Sequence, residues 1–246
     1  MKQEGYQPRD YRHWVETRDL FRFEISVGET DLAIYARQDL ERKARRIVLK
    51  YREQLESYIS KHPRFQASLE PLSVPAHAPR IVTGMIEAGN RARVGPMAAV
   101  AGAMSEMTGT ELLAYSPEII VENGGDIFMK VLNKRTVGIF AGPSPLTGKL
   151  GLEIKPDDTP MGICTSSGTV GHSLSYGKAD AVIVMSPSTL LADAAATAVG
   201  NRVKTAGDID GAIEFGRSID GVTGLVVIIG KDIGVWGNVT LCETSN

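Results

Sequence analysis

Hydrophobic and polar positions alternate with two different periods along the N-terminal part of the chain. From Phe21 to Arg37, apolar residues occupy every second position around a turn at residues 28–31, which predicts two antiparallel strands with one buried face. From Asp39 they recur every three or four residues until His62 and Pro63 end the pattern. This second period predicts a long amphipathic helix that the Asp39 side chain can cap.

Prolines separate this region from the rest of the chain. The stretch Glu70–Pro79 contains three prolines and has no hydrophobic period, so we interpret it as an extended connector. It divides an N-terminal layer, residues 1–78, from a body, residues 79–246, within a single domain. The body is expected to open with a short helix near Arg80–Ala88. A second helix, within Val94–Gly109, is rich in small residues and indicates either tight packing or a ligand platform.

Apolar runs typical of strands dominate the chain after Pro117. Two helical segments, Thr189–Val203 and Ile209–Arg217, interrupt them. Because strands outnumber helices and do not alternate with them one for one, the pattern favours an α+β fold with mixed or antiparallel sheets over a doubly wound parallel sheet. The predicted strands are Ile119–Glu122, Ile127–Leu132, Thr136–Phe140, Gly162–Thr165, Ala181–Met185, Leu225–Ile229 and Val235–Leu241.

Composition limits the function classes. The chain has 246 residues, a net charge of −2 and 43% hydrophobic residues, which is ordinary for a globular protein and argues against a dedicated nucleic-acid binder. No apolar run approaches the roughly 20 residues of a membrane helix, so we expect a cytoplasmic protein without membrane contact. Cys164 and Cys242 have no zinc-ligand spacing. Cys164 is expected to be a buried strand residue.

A first glycine-containing segment lies between two predicted strands. It consists of Asn123, Gly124, Gly125 and Asp126 after Glu122. Paired glycines permit positive φ and let backbone N–H groups meet an anion, while the acid and amide offer oxygen ligands. An Asn-Gly β-turn is the alternative, and on its own the segment favours the turn.

A second segment rich in hydroxyl groups follows an apolar strand. Thr165, Ser166, Ser167 and Gly168 could bind phosphate through hydroxyl and main-chain groups, with His172 close behind. The spacing from Ser167 to His172 gives no catalytic triad, and the segment has no GxSxG elbow, so serine hydrolysis is disfavoured.

A third segment places an acid on an apolar helix. Asp193 and Thr197 are four residues apart and therefore share one helical face, where a carboxylate and a hydroxyl could bind a hard cation. In the alternative, Thr197 bonds back to the Asp193 carbonyl while the Asp193 carboxylate meets solvent or a nearby helix end. The surrounding alanines favour a ligand, because a buried carboxylate needs compensation.

The order of these motifs resembles that of the ApbE superfamily, whose best-known members are FAD:protein FMN transferases. The matching stretches are GPMAA from Gly95, NGGDI from Asn123, TVGIFAG from Thr136, TSSG from Thr165, and VIVMSPSTLLADAAAT from Val182. Longer motifs, VGPMAAVAGAM, VENGGDI and LADAAATAVGN among them, resemble an uncharacterised family within that superfamily, found in anaerobic bacteria and archaea. This closer resemblance extends from about Phe21 to the C-terminus.

The resemblance implies an ApbE-like fold with a site for Mg²⁺ and FAD. Asp193, Thr197 and the main-chain carbonyl of Ala98 match the residues that hold Mg²⁺ in the flavin transferases. In those enzymes the cation assists transfer of FMN from FAD to a Ser or Thr hydroxyl of a target protein. The Asn123–Asp126 and Thr165–Gly168 segments, together with His172, would border the nucleotide.

Two departures from the transferase pattern affect this expectation. Ala99 occupies the position of a lysine, and residues 172–178 replace a different loop. Lys178 or Arg93 could supply the missing positive charge from elsewhere in the fold. The closer family also suggests an alternative function, a non-catalytic accessory protein of anaerobic sulfur or homocysteine metabolism that acts through a protein partner. In either case we expect a homo-oligomer.

Overall fold

The computed structural model describes residues 17, 19–169 and 176–244. The helices are α1 Glu41–Lys61, α2 Pro63–Ala67, α3 Arg80–Ala92, α4 Val100–Leu112, α5 Thr189–Gly200 and α6 Ile209–Arg217. The strands are β1 Phe21–Val27, β2 Thr30–Ala36, β3 Ile119–Asn123, β4 Asp126–Lys130, β5 Arg135–Gly138, β6 Leu150–Ile154, β7 Met161–Ser166, β8 Ala181–Ser186, β9 Gly224–Ile229, β10 Asp232–Gly237 and β11 Leu241–Glu243.

Two sheets organise the molecule. The larger has eight strands in the order β1-β2-β3-β4-β7-β8-β9-β10, and the smaller has three in the order β11-β6-β5. The expected α+β class is confirmed. Every strand pair in the described residues is antiparallel, so the sheets are antiparallel rather than mixed.

The larger sheet separates two hydrophobic cores. Residues on one face pack with the helices, as Phe128 and Val184 do, and form the larger core. Alternate residues of the same strands, such as Ile127 and Met185, point to the other face and pack with Leu152 of the smaller sheet. This two-faced burial explains why strands such as β8 are apolar at nearly every position.

The predicted N-terminal layer continues the larger sheet. The hairpin β1–β2 pairs with β3 through Ala33↔Glu122 to Ala36↔Ile119, and α1 packs on α3 and α4. The N-cap residue of α1 is Leu40 rather than the predicted Asp39, although Asp39 Oδ1 accepts a hydrogen bond from the Glu41 N–H at 2.9 Å. Residues 70–79 contain no helix or strand and connect α2 to α3.

Several element boundaries differ from those predicted. The small-residue segment begins with a 3-10 turn, Pro96–Ala99, before α4, and α5 ends at Gly200 rather than Val203. The sequence pattern did not predict β6. The predicted strand Val235–Leu241 is two strands in different sheets, because the chain turns at Gly237, whose φ is +81°. In the described part of the chain, no helix has both the length and the apolar character required to cross a membrane.

Candidate functional site

The glycine turn, the hydroxyl-rich segment and the start of α4 meet at one end of the larger sheet. Strands β4 and β7 run antiparallel, with Ile127 opposite Ile163, so the start of β4 lies beside the end of β7. Above them, the Ser105 hydroxyl of α4 donates to the carbonyl of Asp126 at 2.9 Å. The Asn123 amide donates to the carbonyl of Ala101 at 3.2 Å. These contacts fix the N-terminal turns of α4 over the β3–β4 turn.

The Asn123–Asp126 segment is a two-residue hairpin turn. Asn123 pairs with Asp126, and Gly124 and Gly125 have φ values of +66° and +105°, which glycine adopts at little cost. The turn predicted from the Asn-Gly pair is therefore confirmed. The N–H of Gly125 already donates to Glu122 Oε1 at 2.9 Å, so that group is not available to an anion in this arrangement.

Asp193 binds the N-terminus of α4. Its Oδ2 accepts a hydrogen bond from the Gly102 N–H at 2.8 Å, and the Ala101 N–H also bonds to this carboxylate. The first N–H groups of a helix lack partners within the helix and carry its positive dipole end. Of the alternatives for Asp193, contact with a helix end is the one seen, and it supplies part of the compensation that the alanine-rich surroundings lack.

A reciprocal contact stabilises the N-terminus of α5. Glu106 on α4 accepts hydrogen bonds from the Thr189 N–H, from the Leu190 N–H at 3.4 Å and from the Ser188 hydroxyl at 3.3 Å. Each of the two helices thus provides a carboxylate that caps the other. Glu106 was not among the residues that the sequence motifs indicated. Its position as an acid within a helix of small, apolar residues was the available signal.

Gly102 allows this close helix packing. A Cβ atom at this position would lie 2.8 Å from the Asp193 Cβ and closer still to the carbonyl oxygen of Thr189. The tight packing expected from the small residues of α4 is therefore present, and it brings the two capping carboxylates within reach of their partners.

Three side chains that can lose a proton lie where α4 and α5 pack on the larger sheet. Asp126 is 8% exposed, and burial followed by the nearby Asp193 carboxylate raises its pKa well above the usual range. Burial raises the pKa of Asp193 to about 7, although its bonds to the Gly102 and Ala101 N–H groups act in the opposite direction. The Cys164 thiol is fully buried, as expected, and burial raises its pKa as well. Burial penalises the charged forms of these groups, so each favours a bound proton unless a cation lies beside it.

The predicted metal ligands are spread over two neighbouring segments. Thr197 is half-buried one turn after Asp193 on α5, and Ala98 lies in the 3-10 turn that packs on the same helix. Within the described residues, no three His, Cys, Asp or Glu side chains form a group able to hold a metal. A cation at this place would thus depend on carbonyl and hydroxyl oxygens in addition to carboxylates.

The hydroxyl-rich segment ends β7 beside the glycine turn. A Cβ on Gly125 would lie 3.9 Å from that of Thr165, and Ser166 is buried. The Ser167 hydroxyl accepts from the Thr169 N–H at 3.1 Å, while the Gly168 N–H donates to the carbonyl of Ala179 at 2.9 Å. The segment thus has a defined conformation. His172, which was expected to join it, lies outside the described residues.

Ala99 occupies the position at which the resemblance to the flavin transferases implies a lysine. Ala99 is fully buried there. Of the two proposed substitutes, Arg93 lies over the Phe215 ring, with its guanidinium carbon 5.8 Å from the ring centroid, and Lys178 is exposed.

Three of the predicted site residues contact the N-terminal half of α4, namely Asn123, Asp126 and Asp193. Ser167 lies at the end of the neighbouring strand β7.

Similar proteins are found across methanogenic archaea. A UPF0280 protein of Methanocella arvoryzae is 43% identical over 212 residues, which are 86% of each chain. A UPF0280 protein of Methanocaldococcus jannaschii is 40% identical over 225 residues, covering 89% of this chain and 91% of the relative.

Solved structures of flavin transferases have the same fold. The flavin transferase ApbE of Vibrio cholerae aligns with a TM-score of 0.58 at 13% identity, over 89% of this chain and 96% of that chain. The apo flavinyl transferase ApbE of Pseudomonas stutzeri aligns with a TM-score of 0.56 at 14% identity, over 89% and 94%. A family model described as AbpE bacteria matches residues 12–230. The match over most of the chain, together with the archaeal relatives, shows that this protein belongs to the AbpE bacteria family.

Proposed function

We propose that this protein binds a flavin or another phosphorylated nucleotide together with Mg²⁺. The site is formed by the Asn123–Asp126 turn, the Thr165–Gly168 segment and the first turn of α4. The observation that supports it most is a buried carboxylate oxygen, Asp126 Oδ1, which has no hydrogen-bond partner among the described residues. A buried acceptor without a partner is costly, and a cation bound beside it would remove that cost.

The donor set fits a hard cation. Asp193, Thr197 and the Ala98 carbonyl would hold Mg²⁺ through oxygen atoms, the ligand type that this cation prefers. When bound, Mg²⁺ would neutralise phosphate charge and polarise a phosphoryl group. The carboxylate of Asp193 would also keep its hydrogen bonds to the start of α4, which orient it.

The existing hydrogen bonds predict that nucleotide binding requires the cation. Helix N-termini and glycine turns often bind phosphate through free N–H groups. Here the Gly102 N–H donates to Asp193 and the Gly125 N–H donates to Glu122, so carboxylates already occupy these donors. With buried Ala99 just before α4, the cation would supply the contact that the phosphates lack there.

Flavin transfer is the reaction that the names of the structural relatives suggest for this site, and the resemblance to FAD:protein FMN transferases makes FMN the transferred group. In this chain, the Asn123 amide and the Thr165–Gly168 hydroxyl and main-chain groups would orient the nucleotide. Asp193 would hold the cation that would keep the phosphates next to α4. The acceptor would be a Ser or Thr hydroxyl of a target protein, whose oxygen would bond to the FMN phosphorus while the pyrophosphate bond of FAD breaks and AMP leaves.

Calorimetric titration with FAD, FMN, ADP and AMP, with and without Mg²⁺, tests the binding proposal. Asp193→Asn removes the negative charge but keeps an oxygen acceptor for the Gly102 N–H. Asp210→Asn, in an exposed part of α6, is the matched control. We expect FAD and ADP to bind only with Mg²⁺, Asp193→Asn to weaken binding at least tenfold, and the control to bind like the native chain. Binding that is equally tight without Mg²⁺, or no binding of any of these nucleotides, would contradict the proposal.

A further inference from the structure

Asp126 is a buried acid whose charge its surroundings do not balance. It starts β4 on the face that packs with the helices, and 8% of its surface is exposed. Among the described residues, no basic side chain forms an ion pair with Asp126 or with Asp193. The charged groups that act on Asp126 are the carboxylates of Asp193 and Glu122. Such a group of buried acids requires a compensating cation or bound protons.

Polar groups surround the Asp126 carboxyl group, but one of its oxygens has no hydrogen-bond partner among the described residues. The Cys164 thiol and the Thr165 N–H lie beside the carboxyl group and lower its pKa against the effect of burial, and the Ser105 hydroxyl donates to the Asp126 main-chain carbonyl. Cys164 is itself fixed, because its sulfur lies 3.4 Å from the carbonyl oxygen of Thr189. Among the described residues, it is the buried Oδ1 that has no hydrogen-bond partner. The Asp193 carboxylate accepts from Gly102, and the Asp126 carbonyl accepts from Ser105 one turn further along α4, so both aspartates lie against the N-terminal half of this helix.

We propose that Asp126 is a direct ligand of the divalent cation, shared with Asp193, and does not merely border the nucleotide. This inference rests on the proposed function, because it concerns the same site. Two carboxylates would balance both charges of a Mg²⁺ or Mn²⁺ ion before any phosphate arrives. The cation would therefore be resident in the protein without nucleotide, and Oδ1 would gain the partner that it lacks.

Binding of Mn²⁺ alone to the purified full chain tests this assignment. The spin-resonance signal of free Mn²⁺ reports the dissociation constant, and Mg²⁺ competition shows that the same site is used. We expect one Mn²⁺ per chain. Asp126→Asn should weaken its binding by at least the roughly tenfold that even an outer-shell partner of a metal contributes. Asp193→Asn should weaken it similarly. Asp180→Asn, which alters a buried aspartate bonded to the Gly230 N–H, should leave Mn²⁺ binding unchanged.

The outcomes separate this inference from the proposed function. If Asp193→Asn loses Mn²⁺ and Asp126→Asn binds it like the native chain, Asp126 is not a ligand and the inference alone fails. If the native chain binds no Mn²⁺ in the absence of nucleotide, the inference fails, whereas the proposed function fails only if the nucleotide titration with Mg²⁺ also shows no binding. Thermal unfolding with and without Mn²⁺ guards against misfolded variants. Asp126→Asn should unfold cooperatively but lose the Mn²⁺-induced rise in Tm, and Asp126→Ser should do the same.

Discussion

Asp193 and Gly102 show how a single residue can decide whether two helices meet. Asp193 reaches the start of α4 only because Gly102 has no side chain, and the same approach places the Thr189 carbonyl next to α4. The interior of a protein is packed densely enough that even one added methyl group has to be accommodated by movement of its neighbours. The geometry of the candidate site therefore depends on a residue that offers no chemical group of its own.

Replacing Gly102 with alanine should destabilise the protein. The added Cβ would press against main-chain atoms of α5, which cannot rotate away, so we expect a loss of about 1–3 kcal/mol in the free energy of unfolding. Gly211→Ala is the control, because nothing lies within 4 Å of its Cβ position on α6 and alanine favours helix. Urea unfolding of both variants measures the difference. An equal or greater stability for Gly102→Ala would contradict the packing described.

At the residue scale, sequence alone predicted features that depend on near neighbours. The Asn-Gly turn at residues 123–124 and the burial of Cys164 are of this kind, because turn geometry and strand burial follow from local pattern. The cap that Asp193 forms on α4 does not follow from local pattern. Its partner lies 91 residues away in the chain, and no local signal identifies which helix end an acid will meet.

At the scale of elements, α4 and α5 are joined by a pair of reciprocal caps. Glu106 binds the first N–H groups of α5, while Asp193 binds those of α4. Each contact satisfies donors that the helix itself leaves unpaired. The two contacts also fix the position of one helix along the axis of the other. This position determines where Asp193 and Thr197 lie relative to β4.

Glu106→Ala should therefore weaken the helix pair. Loss of an N-terminal cap typically costs about 1 kcal/mol and reaches about 2 kcal/mol, and we expect a decrease in this range. Glu87→Ala serves as the matched control, because this glutamate is exposed on α3. Glu106→Gln retains an acceptor oxygen and should recover much of the loss. Chemical denaturation compares the three variants, and equal stability of Glu106→Ala and Glu87→Ala would show that the cap contributes nothing.

The junction of α1 and α4 predicts a dependence on alkaline pH. Burial and the hydrogen-bonded Glu111 carboxylate raise the pKa of Tyr51 to about 12. A raised pKa means that the folded state favours the neutral phenol. This stability is complete below the ordinary value of 10 and is lost as pH rises through 12.

Tyr51→Phe should abolish the loss of folding stability that Tyr51 causes as pH rises from 10 through 12. The native protein should lose up to about 2 kcal/mol more than the variant between pH 9.5 and 12, the order expected for a two-unit shift. Tyr115→Phe, at an exposed tyrosine, should behave as the native protein does. Denaturation midpoints across this range provide the measurement. Parallel pH curves for the native chain and Tyr51→Phe would rule out the proposed coupling.

Elements with long, regular periods were predictable, and short elements bounded by glycine were not. The amphipathic α1 spans nearly the predicted range because its apolar stripe repeats over 21 residues. Strand β6 has only five residues and follows the turns of residues 142–149, so it offers too little pattern to detect. The separation of β10 from β11 depends on the positive φ of Gly237, which a continuous apolar pattern conceals.

At the scale of the whole molecule, the antiparallel sheet brings distant segments to one end. Strands β3, β4 and β7 place the Asn123–Asp126 turn beside Thr165–Gly168, and the two helices cover them from one side. The same fold is present in flavin transferases at 13–14% identity. The expected homo-oligomer stays a prediction. Sequence similarity indicated which segments meet, while the hydrogen bonds that occupy their N–H groups required the three-dimensional structure.

Anomalous diffraction from crystals grown with Mn²⁺ and ADP would show whether Asp193 holds the cation of a nucleotide site. We predict one Mn²⁺ peak within about 2.5 Å of a carboxylate oxygen of Asp193, with the diphosphate in contact with this ion beside the Asn123–Asp126 turn. A Mn²⁺ ion bound elsewhere, or ADP bound at a distance from Asp193, would contradict the account.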